Sequence, residues 1–174
     1  IIEKLGHKVT LVRTVDDFAK VEALIIPGGE STTMGFFLQE TGLMTQIQKK
    51  AQQKTTRFPI WGTCAGAILL AKTIQSHIIP PHLGLMDITI QRNAYGTQLD
   101  SFYTELTMPL LKITDLKAAF IRAPIITQVG KGATILSKYD EKPVIVQQDN
   151  LLASTFHPEL RGEPRLHQYF LSLF

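Results

Sequence analysis

The stretch Pro59-Ile60-Trp61-Gly62-Thr63-Cys64-Ala65-Gly66, followed at once by Ala67-Ile68-Leu69-Leu70-Ala71, decides the fold. Pro59-Ile60-Trp61 reads as a short buried strand. Ala67–Ala71 reads as a helix that is apolar all round, and such a helix has to lie against a sheet. Gly62 and Gly66 supply the room for a sharp strand-to-helix turn between them, which pushes Cys64 out at the C-terminal edge of the sheet. At the N-terminus of a helix, free N–H groups and the helix dipole favour thiolate over thiol. The N–H of Ala65 is placed to donate to an oxyanion. A lone cysteine can also be a small buried hydrophobe; the turn favours a nucleophile.

Outward from this turn, strands and helices alternate on the N-terminal side. Ile1–Leu5 reads as a helix end closed by Gly6, and Val9–Val12 as a strand. Ala23–Ile26 is a short apolar run that stops at Pro27-Gly28-Gly29, the pattern of a buried parallel strand ending in a turn. Ser31 is a candidate N-cap for a helix with Met34, Phe37 and Leu38 on one face. Gly42 ends it, and Leu43, Ile47 and Ala51 define a second amphipathic helix. After Asp87 the pattern turns to strands: Ile88–Gln91, Ser101–Thr107, Ala119–Arg122, Ala133–Ser137, Val144–Gln147 and Leu152–Phe156. Pro164 opens a last helix that carries Leu166, Phe170, Leu173 and Phe174 on one face. The expected architecture is a three-layer α/β domain with an antiparallel extension.

Composition narrows the function. The 174 residues suit one domain with a sizeable core. They are 44% hydrophobic and 19% charged, ordinary values for a soluble globular protein. A net charge of +3, with Lys49, Lys50, Lys54 and Arg57 as the nearest thing to a basic cluster, argues against nucleic-acid binding. No apolar run approaches the length of a membrane span. The single cysteine cannot form an internal disulfide, which fits a reducing cytoplasm and leaves one thiol to explain.

Two further segments bear chemistry. In Phe156-His157-Pro158-Glu159 the proline holds His157 extended at a strand end, so its imidazole points one way. A cysteine nucleophile needs a base within hydrogen-bond reach and a third group to orient that base. Glu159, two residues on, can be that group; a strand-end histidine beside a solvated carboxylate is the plainer alternative. His7, His77, His82 and His167 read as loop or helix-surface residues. In Pro27-Gly28-Gly29-Glu30-Ser31, backbone N–H groups at a helix N-terminus suit an anion or oxyanion. Without Cys64 this would be only a tight turn.

Pro-Gly-Gly-Glu-Ser-Thr, Gly-Thr-Cys-Ala-Gly and His-Pro-Glu, in this order, resemble the class I (triad) glutamine amidotransferases. Within them the chain is similar, over essentially its whole length, to the PdxT family, the glutaminase subunits of pyridoxal 5'-phosphate synthase. Gln91-Arg92-Asn93-Ala94-Tyr95-Gly96, Gln98-Leu99-Asp100-Ser101-Phe102 and Phe120-Ile121-Arg122-Ala123-Pro124 carry that narrower match. The resemblance implies a flavodoxin-like three-layer α/β fold with a mixed central sheet. It implies Cys64 as nucleophile on L-glutamine, His157 as proton carrier and Glu159 as its orienting partner. It also implies substrate contacts from Gly29, Glu30, Ser31, Arg92, Ile121 and Arg122, with Gly29 and Ala65 at the oxyanion hole. Arginine forks suit the α-carboxylate of glutamine. The implied partner is the synthase subunit that takes the ammonia; no metal or cofactor is implied for the glutaminase. The alternatives are a glutaminase serving another synthase, such as imidazole glycerol phosphate synthase, and a non-catalytic subunit of the same fold.

Members of that family open with a strand, a turn and a helix ahead of the segment that here begins at Ile1. The chain is therefore expected to be a single glutaminase domain over 1–174 without that strand and most of that helix. Val9–Val12 and Ala23–Ile26 would then flank an interior strand position.

Overall fold

The computed structural model describes residues 1–53, 57–92 and 101–174. Lys54 and the segment Asn93-Ala94-Tyr95-Gly96 with Gln98, Leu99 and Asp100, all singled out in the sequence, lie outside the described residues. The chain carries helices α1 (Val15–Phe18), α2 (Ser31–Glu40), α3 (Leu43–Ala51), α4 (Ala65–Leu70) and α5 (Arg165–Leu171). Its strands are β1 (Leu24–Ile26), β2 (Ile60–Thr63), β3 (Ala71–Gln75), β4 (Met86–Gln91), β5 (Phe102–Met108), β6 (Ile113–Phe120), β7 (Ile125–Val129), β8 (Thr134–Tyr139), β9 (Lys142–Gln148) and β10 (Leu151–Ser154). The central sheet is mixed, in the order β1-β2-β10-β9-β8. β1, β2 and β10 run parallel, and β9 and β8 continue antiparallel. β3-β4-β7 and β5-β6 form two smaller sheets.

Side-chain alternation splits the core into two layers, one on each face of this sheet. On β2, Ile60 joins the cluster built with α3 and α4, including Ile47, Leu69 and Leu70. Trp61 next to it joins the cluster of Phe120, Phe156, Leu166 and Phe170. β10 repeats the pattern, with Leu151 and Ala153 on the first face and Leu152 on the second. All of α4 is buried, as an all-apolar helix requires. Three layers follow: helices, mixed sheet, and α5 with the β5–β6 hairpin.

Several local expectations change. Val9–Val12 is not a strand; Val9 and Leu11 are exposed, and an extended stretch gains ladder bonds only if a partner lies beside it. An open groove of about 780 Å³ runs between this segment and β1, with Phe170, Leu171 and Phe174 among its lining residues. The N-cap of α2 is Glu30, not Ser31: its carboxylate accepts from the N–H groups of Thr32 and Thr33 at 2.9 and 2.7 Å. Phe37 is exposed on α2, and Gly35 takes the inward position. Phe174 is exposed beyond α5. Strands β3 and β7 are additions to the expected set. β10 ends at Ser154 rather than at Phe156, and β6 begins six residues before the expected Ala119.

Gly35 shows why α2 packs so closely. A Cβ there would sit 2.1 Å from the carbonyl oxygen of Pro81, a backbone atom. Gly35→Ala should therefore push α2 off the 80–81 segment and cost about 1–3 kcal/mol, as overpacking does. A urea denaturation midpoint lower than that of the parent protein, with unchanged slope, is the expected reading.

Candidate active site

The site is assembled by strand pairing. β1 pairs with β2 in register Ile26↔Gly62, and β10 pairs with β2 in register Ser154↔Thr63. All three strands run parallel, so the segments that follow them meet at one edge, the usual site position in such sheets. These segments are Pro27–Gly29, Cys64 with α4, and Thr155–Glu159.

Cys64 is buried, and it takes φ +50° and ψ −106° at the head of α4. A non-glycine residue in that conformation is strained and needs surrounding structure to hold it. Its N–H donates to Ser154 O at 2.8 Å, which carries the β2–β10 ladder through the turn. The two glycines are required by contact. A Cβ on Gly62 would lie 2.4 Å from the backbone of Gly66, and one on Gly66 would lie 1.9 Å from Ile26 O. The Cys64 thiol lies 4.0 Å from the carbonyl oxygen of Ile121.

His157 stands three residues beyond the end of β10. It is held by β6, where Ala119 O accepts its N–H at 2.8 Å. Its Nδ1 meets Glu159 Oε1 at 2.7 Å; the imidazole is mostly buried and the carboxylate about half exposed. The imidazole pKa is raised to about 10, first by hydrogen bonding to the Cys64 side chain and then by hydrogen bonding to Glu159, against the opposing effect of burial. For Glu159, burial pushes the pKa up, but the His157 hydrogen bond and charge outweigh it and the net shift is downward. The Cys64 side chain and the Glu159 carboxylate both act on the imidazole and favour its imidazolium form. This arrangement can carry out nucleophilic attack with proton transfer.

The turn after β1 completes the edge. Gly29 has φ +150°, a region open to glycine. Gly28, absent from the residues expected at the site, packs flat on the histidine: a Cβ there would lie 2.2 Å from His157 Cε1. The paired glycines were the available signal, but each has its own reason. Ser31 is buried at the start of α2. Glu30 is held well below the usual carboxylate range, to about 2, chiefly by the Thr32 and Thr33 N–H groups. Arg92 braces this turn. Its guanidinium donates to Glu30 Oε1 at 3.3 Å, Thr32 Oγ1 at 3.1 Å and Ile78 O at 3.0 Å. Arg122 differs: it is exposed, has φ +44°, and its guanidinium has no polar partner among the described residues. It follows Ile121, whose carbonyl faces Cys64. His167, read from sequence as a surface residue, is buried. It stacks edge-on against Trp61 at 4.9 Å, and its Nδ1–H donates to Glu163 O at 2.8 Å.

Two outcomes test this geometry. In Cys64→Ala the largest cause of the raised pKa is gone, so the His157 imidazole should titrate closer to its ordinary 6.5 than to about 10, as followed by NMR of labelled histidine. The sign for stability follows. The folded-state pKa lies above the unfolded one, so the contribution of this group is complete below about pH 6.5 and is lost as pH rises through about 10. In Gly28→Ala the added methyl collides with the imidazole, and the His157 ring resonances should move while the β-sheet signals stay in place.

Comparison with known proteins agrees with the geometry. The chain matches the SNO glutamine amidotransferase family over residues 1–174. It is 51% identical over 171 residues to the pyridoxal 5'-phosphate synthase subunit PdxT of Caldanaerobacter subterraneus subsp. tengcongensis, covering 97% of this chain and 87% of that one. It is 47% identical over 172 residues to the protein of the same name from Pseudothermotoga lettingae, covering 99% and 86%. A solved glutamine amidotransferase superposes with TM-score 0.91 at 40% identity, covering 99% of this chain and 89% of that chain. A second solved glutamine amidotransferase, from Thermotoga maritima, shares the fold, with TM-score 0.52 at 15% identity over 97% and 69% of the two chains. The chain is an enzyme of the class I glutamine amidotransferase fold and belongs to the SNO glutamine amidotransferase family.

Proposed function

We propose that this glutaminase hydrolyses L-glutamine to L-glutamate and ammonia through Cys64, His157 and Glu159, and that it delivers the ammonia to a pyridoxal 5'-phosphate synthase subunit. The observation that carries the triad is the His157 imidazole held by Glu159 at 2.7 Å, with the Cys64 side chain as the largest cause of its raised pKa. The names of the relatives support the partner.

In this reading the Cys64 sulfur attacks the side-chain carboxamide carbon of glutamine. The carbonyl oxygen takes up negative charge, and the N–H groups of Ala65 and Gly29 are the candidate donors to it. The intermediate collapses as the C–N bond breaks and His157 gives its proton to the departing nitrogen. Ammonia leaves, and a glutamyl thioester remains on Cys64. His157, now neutral, takes a proton from water as that water attacks the thioester carbon. The C–S bond breaks, glutamate leaves, and the thiol–histidine pair regains its proton. Glu159 moves no proton; it fixes the tautomer and orientation of the ring and stabilises the imidazolium.

Substrate recognition falls to the rim. Gly29, Glu30 and Ser31 shape the turn, and Ile121 presents its carbonyl beside the sulfur. Arg122, whose guanidinium has no polar partner among the described residues, is the arginine assigned to the glutamine α-carboxylate. Arg92 contributes by bracing Glu30 and Thr32.

Cys64→Ser should lower glutamate release, assayed with the synthase subunit present, by about three orders of magnitude or more. A serine variant of parental activity would sink the assignment. Arg122→Ala should raise the KM for glutamine about ten- to hundredfold with little change in kcat, because a charged hydrogen bond to a fixed end of the substrate contributes about 1.5–3 kcal/mol. An unchanged KM would remove Arg122 from recognition.

A further inference from the structure

We propose that Glu163 is a positioning residue for the triad: it clamps the turn that carries Glu159 onto the outer edge of β6, and so holds the Glu159 carboxylate behind His157. The proposal rests on the catalytic reading above.

Glu163 is a carboxylate almost wholly removed from water, 2% exposed. Burial of such a group is costly unless it is fully hydrogen-bonded. Here Oε1 accepts from the backbone N–H of Arg165 at 2.9 Å and from Arg165 Nε at 2.8 Å. Oε2 accepts from Arg165 Nη2 at 2.7 Å and from the backbone N–H of Lys117 at 3.0 Å. Arg165 reaches on to Asp115, through Nη1 to Oδ1 at 2.5 Å and through Nη2 to the backbone oxygen at 2.8 Å.

The partners on β6 form a series. Ala119 O accepts from the His157 N–H, the Lys117 N–H donates to the Glu163 carboxylate, and Asp115 O accepts from Arg165. Residues 115, 117 and 119 alternate along a strand whose other edge is taken by β5, so their free backbone groups point the same way. The chain from His157 to Arg165 is thus laced to the open edge of β6 at three successive sites. Glu159 lies between the first two, in a 3₁₀ turn (Glu159–Arg161) closed on itself: Pro158 O accepts from the N–H groups of Arg161 and Glu163, and Glu159 O from that of Gly162. Arg161 adds a contact from above, its guanidinium 4.9 Å from the centre of the Tyr103 ring on β5.

The Glu159 side chain itself is 43% exposed, so packing does little to restrain it. Among the described residues its carboxylate hydrogen-bonds to the His157 imidazole and to its own backbone N–H, with His167 close enough to act on it electrostatically, so its hydrogen bonds tie it to His157 and to the turn itself. What limits its motion is the backbone of the turn. The His157 end is tied by one backbone bond, and the far end is tied by the buried Glu163 clamp. Releasing that end frees the turn to drift from β6 and take the carboxylate with it. The Glu163 backbone adds a second hold, since its carbonyl takes the His167 Nδ1–H on α5.

A residue acting in this way can be told from a structural one. Glu163→Gln replaces an acceptor oxygen with an NH₂ that faces the donors of Arg165 and Lys117, so the clamp should loosen. The readout is the His157 titration in the free chain, followed by NMR of labelled histidine, and it needs no substrate. Glu163→Gln should lower the His157 midpoint part of the way reached by Glu159→Gln, and the double variant should match Glu159→Gln alone. In glutaminase assays with the synthase subunit, kcat should fall about tenfold with KM unchanged. Glu163→Asp, which keeps the charge, should recover part of both. Should Glu163→Gln fold poorly, Arg165→Lys keeps the charge but breaks the bidentate fork, and it should shift His157 in the same direction. A fall in melting temperature with an unmoved His157 titration would overturn the proposal, as would a shift that persists undiminished in the Glu159→Gln background. Activity retained in Cys64→Ser would instead strike the catalytic reading and leave the titration result standing.

Discussion

Strands β2 and β10 lie side by side and parallel, with Thr63 opposite Ser154, and the Cys64 N–H continues that ladder onto Ser154 O. Cys64 leaves the ladder by the left-handed turn into α4, while the β10 chain runs on for three residues to His157. Register here is a chemical constraint. A slip of one residue would turn every side chain of β2 to the opposite face, exchanging Ile60 and Trp61 between the two core layers. The apolar surfaces on both sides of the sheet forbid that slip, so the core holds the sulfur and the imidazole together. The strain at Cys64 is sustained in the same way, by glycines at 62 and 66 whose missing side chains are occupied by backbone.

Around this pairing, three glutamates have three duties. Glu30 and Glu163 both sit near 2, and each is satisfied by backbone N–H groups, with an arginine beside it. One caps α2 and shapes the Gly29 turn; the other is buried and ties the Glu159 turn to β6. Glu159 is ionised for another reason, the histidine in front of it. Only Glu159 faces a group that can exchange a proton. The others build backbone geometry with charge, which suits a site that needs a fixed histidine and a fixed glycine turn packed together beside one cysteine.

The elements that were legible in the sequence are those with strong local signals. The all-apolar α4 forms, though over Ala65–Leu70 rather than Ala67–Ala71 because Ala71 opens β3, and the Leu43–Ile47–Ala51 stripe of α3 stands where the pattern placed it. The misses have physical causes. β3 follows α4 directly, with no glycine or proline between them to mark the change. β7 mixes buried and exposed residues and gains its identity from pairing with β4. Val9–Val12 has strand composition but pairs with no strand among the described residues. Glu30 displaced Ser31 as the cap because its longer side chain folds back to reach two N–H groups, leaving Ser31 inside the first turn. His167 is buried because α5 packs it on Trp61, a partner 106 positions away.

By itself the sequence determined the alternating α/β pattern, the cysteine turn, the glycine turn and the His-Pro-Glu segment, because each depends on residues a few positions apart. Local chemistry sets local conformation: glycines permit the turns, and a proline biases the residue before it away from the helical region. Which of these segments meet is a property of the sheet order β1-β2-β10, and no local pattern encodes that order. The tertiary structure alone decided that Gly28 lies against the imidazole, that Arg92 braces the Glu30 turn while Arg122 has no polar partner among the described residues, and that Glu163 is buried against β6. These contacts join residues up to 129 positions apart, and their free energy comes from burial and hydrogen bonding, which exist only once the layers have closed.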